Sequence, residues 1–273
     1  MRHIEYWDNF RSVIRSRRGG WYAGKGVFNC GYDMMQDLVG NVSYMQVIIL
    51  NATGRLPDRR IADWFEACHI CLSWPDPRIW CNHVGALGGT MRTSPVAATV
   101  AGSLAGDSIA YGQKPFQEGL EFIQAAMTKS KQGLSAREIV AEEIARHKGK
   151  PRIMGYARPV AKGDERIEAL ERVAKNLELP IGAHLALAYE IEEVLSEDYD
   201  ESMNINGYMS AVLSDEGFTP LEVYRITAVM ISSGVTACYV DTFERPPETF
   251  LPMRCEDIDY QGSPPRDVPE TNK

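Results

Sequence analysis

Four basic side chains, a tyrosine and an acidic pair are crowded into RIMGYARPVAKGDER, Arg152–Arg166. That mixture suits an anionic ligand. Arg158 and Arg166 keep their charge at any working pH and present planar forks of N–H donors, and Lys162 adds a point charge. Further along, MNING sets Asn206 before Gly207. An amide there either caps a turn or donates a hydrogen bond to a carbonyl; it does not take a carbon-bound proton. The five histidines (His3, His69, His83, His147, His184) are dispersed. The CxxC pair Cys68–Cys71 encloses His69, yet with Ile61, Trp64 and Phe65 it falls on an apolar helical stripe. No second ligand pair accompanies it, so it reads as core, and no metal is expected.

These residues have to be positioned by helices. Three helical patterns run from Tyr32 to Leu72, and Pro57–Asp58 opens the third. SPVAATVAGSLAGDS, from Ser94, is a small-residue helix that lets backbones approach closely. SAREIVAEEIARHKG starts with Ser135 three residues before Glu138, a capping box. After the basic loop come RIEALERVAKNLEL, HLALAYEIEEVLSE, MSAVLSDEG and, beyond Thr219–Pro220, one long helix from Leu221 to Glu244. GALGG, Gly85–Gly89, reads either as a helix interruption or as glycines that serve packing. Alternating strand patterns are almost absent, so the chain is all-α with about ten or more helices.

The 273 residues can fill one large core or two unequal lobes. Apolar content of 44% and charged content of 24% are those of a globular protein. A net charge of -8 argues against a nucleic-acid surface. No window offers the roughly 18–20 uninterrupted apolar residues of a membrane span. The first residues lack the apolar core of a secretory signal, and Glu5 and Asp8 argue against an organelle-targeting peptide. The expected location is cytoplasmic.

Taken in order, several short motifs resemble the citrate synthase superfamily, particularly citryl-CoA lyase and the matching domain of ATP citrate lyase. They are Gly31–Tyr32, Ser43–Tyr44, Gly54–Pro57, the CNH segment Cys81–His83, AGSLAGD, the basic loop, MNINGYMSAVLSDEGF and the tail CEDIDYQG. Together they span Arg18 to Gly262. The resemblance implies a citrate synthase-like two-lobed helical fold: a large lobe from 1–107 and 216–273, and a smaller closing lobe from 108–215. It also implies a homodimer and chemistry at the alpha carbon of a coenzyme A thioester, with a CoA ester and a small keto or hydroxy acid or ketone as partners.

Carried over position by position, the family's catalytic aspartate falls on Asn206, and the histidine of its basic loop on Arg158. The enol-stabilising histidine falls near Ile109 or Tyr111, a substrate histidine on Pro75 beside Asp76, and a carboxylate-gripping arginine on Ile231; Arg166 is retained. The resemblance then implies Arg158, Asn206, Asp76, Asp107 and Tyr111 as the catalytic candidates. Arg158 and Asn206 would donate hydrogen bonds, and Asp76, Asp107, Tyr111 or Tyr156 would take a hydroxyl proton. Gly155, Tyr156 and Lys162 would face coenzyme A. Arg166, Ile231 and Tyr208 would face the second substrate, with Trp80 in the same pocket. The expected function is making or breaking a carbon–carbon bond next to a CoA thioester, on a substrate other than citrate. The alternatives are a catalytically silent CoA-ester-binding paralogue and a CoA thioester hydrolase.

Overall fold

The computed structural model describes residues 3–12, 14–109, 111–149, 152–157 and 163–268. Twelve α-helices follow one another among them: α1 (His3–Asp8), α2 (Tyr44–Thr53), α3 (Arg59–Leu72), α4 (Trp80–Thr90), α5 (Pro95–Gly106), α6 (Gln113–Lys131), α7 (Ala136–Arg146), α8 (Glu165–Asn176), α9 (Ala183–Tyr199), α10 (Ile205–Asp215), α11 (Pro220–Ile226) and α12 (Ser232–Phe243). One small antiparallel sheet departs from the all-α expectation: β1 (Gly19–Tyr22), β2 (Gly26–Asn29) and β3 (Tyr32–Asp33), with Trp21 opposite Val27 and Phe28 opposite Asp33. Strands of two to four residues are too short to show an alternation, which is why the sequence pattern misses them.

Helix starts obey local chemistry. Ser43 and Gln46 form a capping box on α2, Asp58 accepts from the Arg60 N–H on α3, and Ser135 with Glu138 caps α7 as expected. Thr219 and Glu222 form a box on α11. The single helix expected from Leu221 to Glu244 is instead two: a 3-10 turn at Thr227–Val229 separates α11 from α12. Pro220–Phe243 has the length and composition of a membrane span, but here half of its most apolar window is buried inside the protein.

Packing separates the helices into two groups. Side chains of α2, α3 and α6–α11 share one large core, with Trp64, Phe65, Leu120, Ile191 and Tyr208 fully buried. Burying each such side chain contributes about 1.5–3 kcal/mol. Residues on both sides of position 107 share this core. The second group is a layer of α4, α5 and α12 with a core of only Cys81, Ile231 and Val235. Its helices meet almost backbone to backbone. A Cβ on Gly106 would collide with Ile231 Cδ1, and one on Gly102 with Val235. GALGG is therefore no interruption: Gly85 and Gly89 lie inside α4, where α12 crosses too closely for a side chain.

Candidate active site

Arg166 lies at the start of α8. Asp164 caps α8 by accepting from the Arg166 N–H, and its side chain has no solvent exposure. The same carboxylate grips the Arg166 guanidinium twice, at 2.7 Å to Nε and 2.6 Å to Nη2. It also accepts from the Ile205 N–H at 2.8 Å, which ties α8 to the start of α10. Burial raises the Asp164 pKa, but the Arg166 hydrogen bonds and charge and the Ile205 N–H outweigh it and hold the carboxyl below its usual range. Among the described residues Nη1 of Arg166 has no acceptor, and the two bonds to Asp164 fix one edge of the guanidinium.

The Arg166 charge reaches Tyr111 and Cys71, lowering the pKa of both against burial. Tyr111 is half-buried against the Cys81–Ile231–Val235 core, edge-on to Trp80 with ring centroids 6.3 Å apart. Cys81 lies beside it in that core. Burial pushes the Tyr111 pKa up to about 12, so the phenol is a persistent donor rather than the proton acceptor expected of it.

The other expected residues find different work. Asp76 is clamped by Arg78 at 2.6 Å, whose hydrogen bonds lower its pKa, so it is a poorer base than expected. Asp107 ends α5 and accepts from the Tyr224 hydroxyl at 2.8 Å. No basic side chain pairs with it among the described residues. The amide of Asn206 is buried and committed: Nδ2 donates to Pro115 O and Oδ1 accepts from Ser210. The turn cap is Asn204, two residues earlier, whose Oδ1 accepts from the Asn206 and Gly207 N–H groups.

Gly155 (φ 95°) packs on Gly207 so closely that neither position has room for a Cβ, and its carbonyl accepts from the Asn204 N–H. Tyr156 is a core side chain, its hydroxyl on Ala188 O and its ring edge-on to Phe122. Tyr208 is 1% exposed beside Trp64, and Ile231 is 1% exposed beneath Gly106. Tyr156, Tyr208 and Ile231 are thus core side chains. Arg158 and Lys162 lie outside the described residues. Both flanks of that segment are tied to one stretch: Ala157 N to Ser202 O, and Gly163 N to Ser202 Oγ.

Sequence reasoning passed over Asp164 and Asn82. GDER carried the first, since aspartate two residues before an arginine at a helix start is an N-cap signal. Asn82 is buried and donates to Trp74 O and Asp76 O, fixing the loop that holds Asp76. The CHIC segment is core as expected: Cys68 is fully buried, and His69 bonds Phe65 O through Nδ1. Among the described residues no group of three or more His, Cys, Asp or Glu is disposed to hold a metal.

A helical body of this order has the citrate synthase-type fold. The chain is similar to citryl-CoA lyase from Hydrogenobacter thermophilus (TM-score 0.78, 24% identity), covering 94% of this chain and 98% of that one. It is similar to ATP citrate lyase from Methanothrix soehngenii, solved with citrate and coenzyme A (TM-score 0.74, 15% identity, 97% of this chain and 45% of that one). The third likeness is to citrate synthase from Thermoplasma acidophilum, solved with carboxymethyl coenzyme A and oxaloacetate (TM-score 0.63, 15% identity, 83% and 58%). No protein-family model and no curated protein matches the chain.

Proposed function

We propose that this protein is an acyl-CoA enzyme that makes or breaks a carbon–carbon bond beside the thioester, with a carboxylate-bearing keto or hydroxy compound as second substrate. The observation that carries the reading is Arg166, fixed by a buried aspartate, with its charge acting on Tyr111, whose phenol burial keeps protonated. The guanidinium holds the carboxylate, and Tyr111 donates to the carbonyl or enolate oxygen. Asp107, four residues before Tyr111 and without a cationic partner, handles the proton. Trp80 and Tyr111 give the second substrate an aromatic wall. The neighbours solved with coenzyme A or its derivatives support a CoA ester as the other reactant.

Incubation with paired acyl-CoAs and 2-oxo acids, and with 3-hydroxyacyl-CoAs, tests this by following free thiol and carbonyl product. Turnover is expected, with a substrate acid preferred over its amide by about 100-fold or more, since the amide leaves the guanidinium without its ionic partner. Saturable CoA-ester binding without turnover would leave the silent-paralogue reading standing. Absence of any CoA-ester binding would remove the ligand class altogether.

The protein acts as a homodimer through the α4–α5–α12 layer. Val96, Val100 and Leu104 recur every four residues along α5 and are 71%, 53% and 72% exposed, an apolar stripe with nothing on it. A layer whose own core is three residues deep gains most of its burial from a second copy. The wild type should elute as a dimer in light-scattering chromatography at micromolar concentration, and Val100→Glu as a monomer. A monomeric wild type would end this assignment.

A further inference from the structure

A surface groove that does not include Arg166 lies between α2 and α11, with a volume of about 560 Å³. Its polar lining is Arg18, Arg225 and Asn51, its floor includes Ile48 and Val229, and Tyr44 stands at the rim. No acidic side chain lines it, although the chain carries a net charge of -8. Among the described residues neither guanidinium has a carboxylate partner. Arg18 is held in place at the end of α2, where its guanidinium lies so close over Gly54 that a Cβ there would collide with it. The Asn51 Oδ1 accepts from Asn29 Nδ2 at 2.8 Å, which leaves its NH2 group as a further donor. Three donor groups and an apolar floor, in a groove of the size small ligands occupy, make a coherent receptor.

We propose that this groove binds a small organic anion: a phosphate or carboxylate held between Arg18 and Arg225, with an apolar body lying on Ile48 and Val229. Val229 ends the 3-10 turn that separates α11 from α12, and Ile231, two residues on, packs on Gly106 behind Tyr111. Tyr224, one residue before Arg225, holds Asp107. A ligand in the groove therefore touches the segment that backs Tyr111, without sharing a residue with the Arg166 site.

Calorimetric titration with phenyl phosphate, benzoate and inorganic phosphate tests the site, and it does not depend on which reaction the protein catalyses. Phenyl phosphate or benzoate is expected to bind at least tenfold tighter than inorganic phosphate, the better of the two showing which headgroup the groove takes. The Arg18→Gln/Arg225→Gln variant should lose that binding at least tenfold while its CoA-ester affinity stays within twofold. Ala52→Glu, which sets a carboxylate in the groove, should abolish binding by a separate route and decides the matter if the double variant does not fold. The proposal is overturned if neither aromatic anion binds the wild type, or if inorganic phosphate binds as tightly as both. Binding that survives the substitutions overturns it as well. Loss of CoA-ester affinity in the double variant would reassign the two arginines to the CoA site.

Discussion

Asp164→Ala should destabilise the protein by about 3–5 kcal/mol and release the candidate site at the same time. The estimate follows from what the carboxylate serves. It is fully buried, caps α8, accepts from the Ile205 N–H and holds two nitrogens of Arg166. Removing one member of a buried ion pair leaves the other charge desolvated and uncompensated, which costs about that much. For a chain of this length the melting temperature should fall by roughly 10 °C. Because Arg166 loses its fixed geometry, affinity for a carboxylate substrate should fall further than stability alone explains.

The same group predicts an acid limb. Its native pKa lies below the ordinary aspartate value of about 3.9, so the unfolded state binds the proton more tightly. The contribution is fully present above about pH 4 and disappears as pH falls through the lower native value. Urea melts of wild type and variant should therefore differ most at neutral pH and converge in acid. A gap below about 1 kcal/mol at pH 7 would show that Asp164 does not anchor the site.

How much of this was legible beforehand depends on the length scale of the signal. Capping chemistry was readable at Ser135–Glu138 because the whole device sits within four residues. The helical stripe through Ile61, Trp64 and Cys68 was readable because one helix face repeats. Arg166 was expected as a carboxylate holder, and the carboxylate it holds within the fold is that of Asp164. What could not be read was which polar groups are already satisfied across the fold. Asn206 looks available in MNING, yet its amide is committed to Pro115 O, 91 residues earlier, and to Ser210. Tyr156 and Tyr208 look like ligand contacts in a glycine-rich context but are buried by helices far away in sequence. The break at Thr227–Val229 carries neither proline nor glycine, so nothing local marks it.

Tyr111→Phe should lower kcat by about 10²–10³-fold while leaving CoA-ester affinity within about threefold. The phenol keeps its proton and feels the Arg166 charge, and deleting a donor to a developing oxyanion typically costs that much in rate. Its ring stays packed against the Cys81–Ile231–Val235 core in the variant, so the fold should lose less than about 1 kcal/mol. The pH profile separates a donor from a base. A base must lose its proton to work, so a catalytic tyrosinate would make the rate climb towards pH 12. A donor must keep it, and with a pKa of about 12 Tyr111 stays protonated throughout the neutral and mildly alkaline range. The wild-type rate should thus show no rising alkaline limb from this residue, and the phenylalanine variant should be slow at every pH with an unchanged profile. A variant that keeps its wild-type kcat, or a wild-type rate that climbs with alkalinity and loses that climb in the variant, would remove Tyr111 as the oxyanion donor.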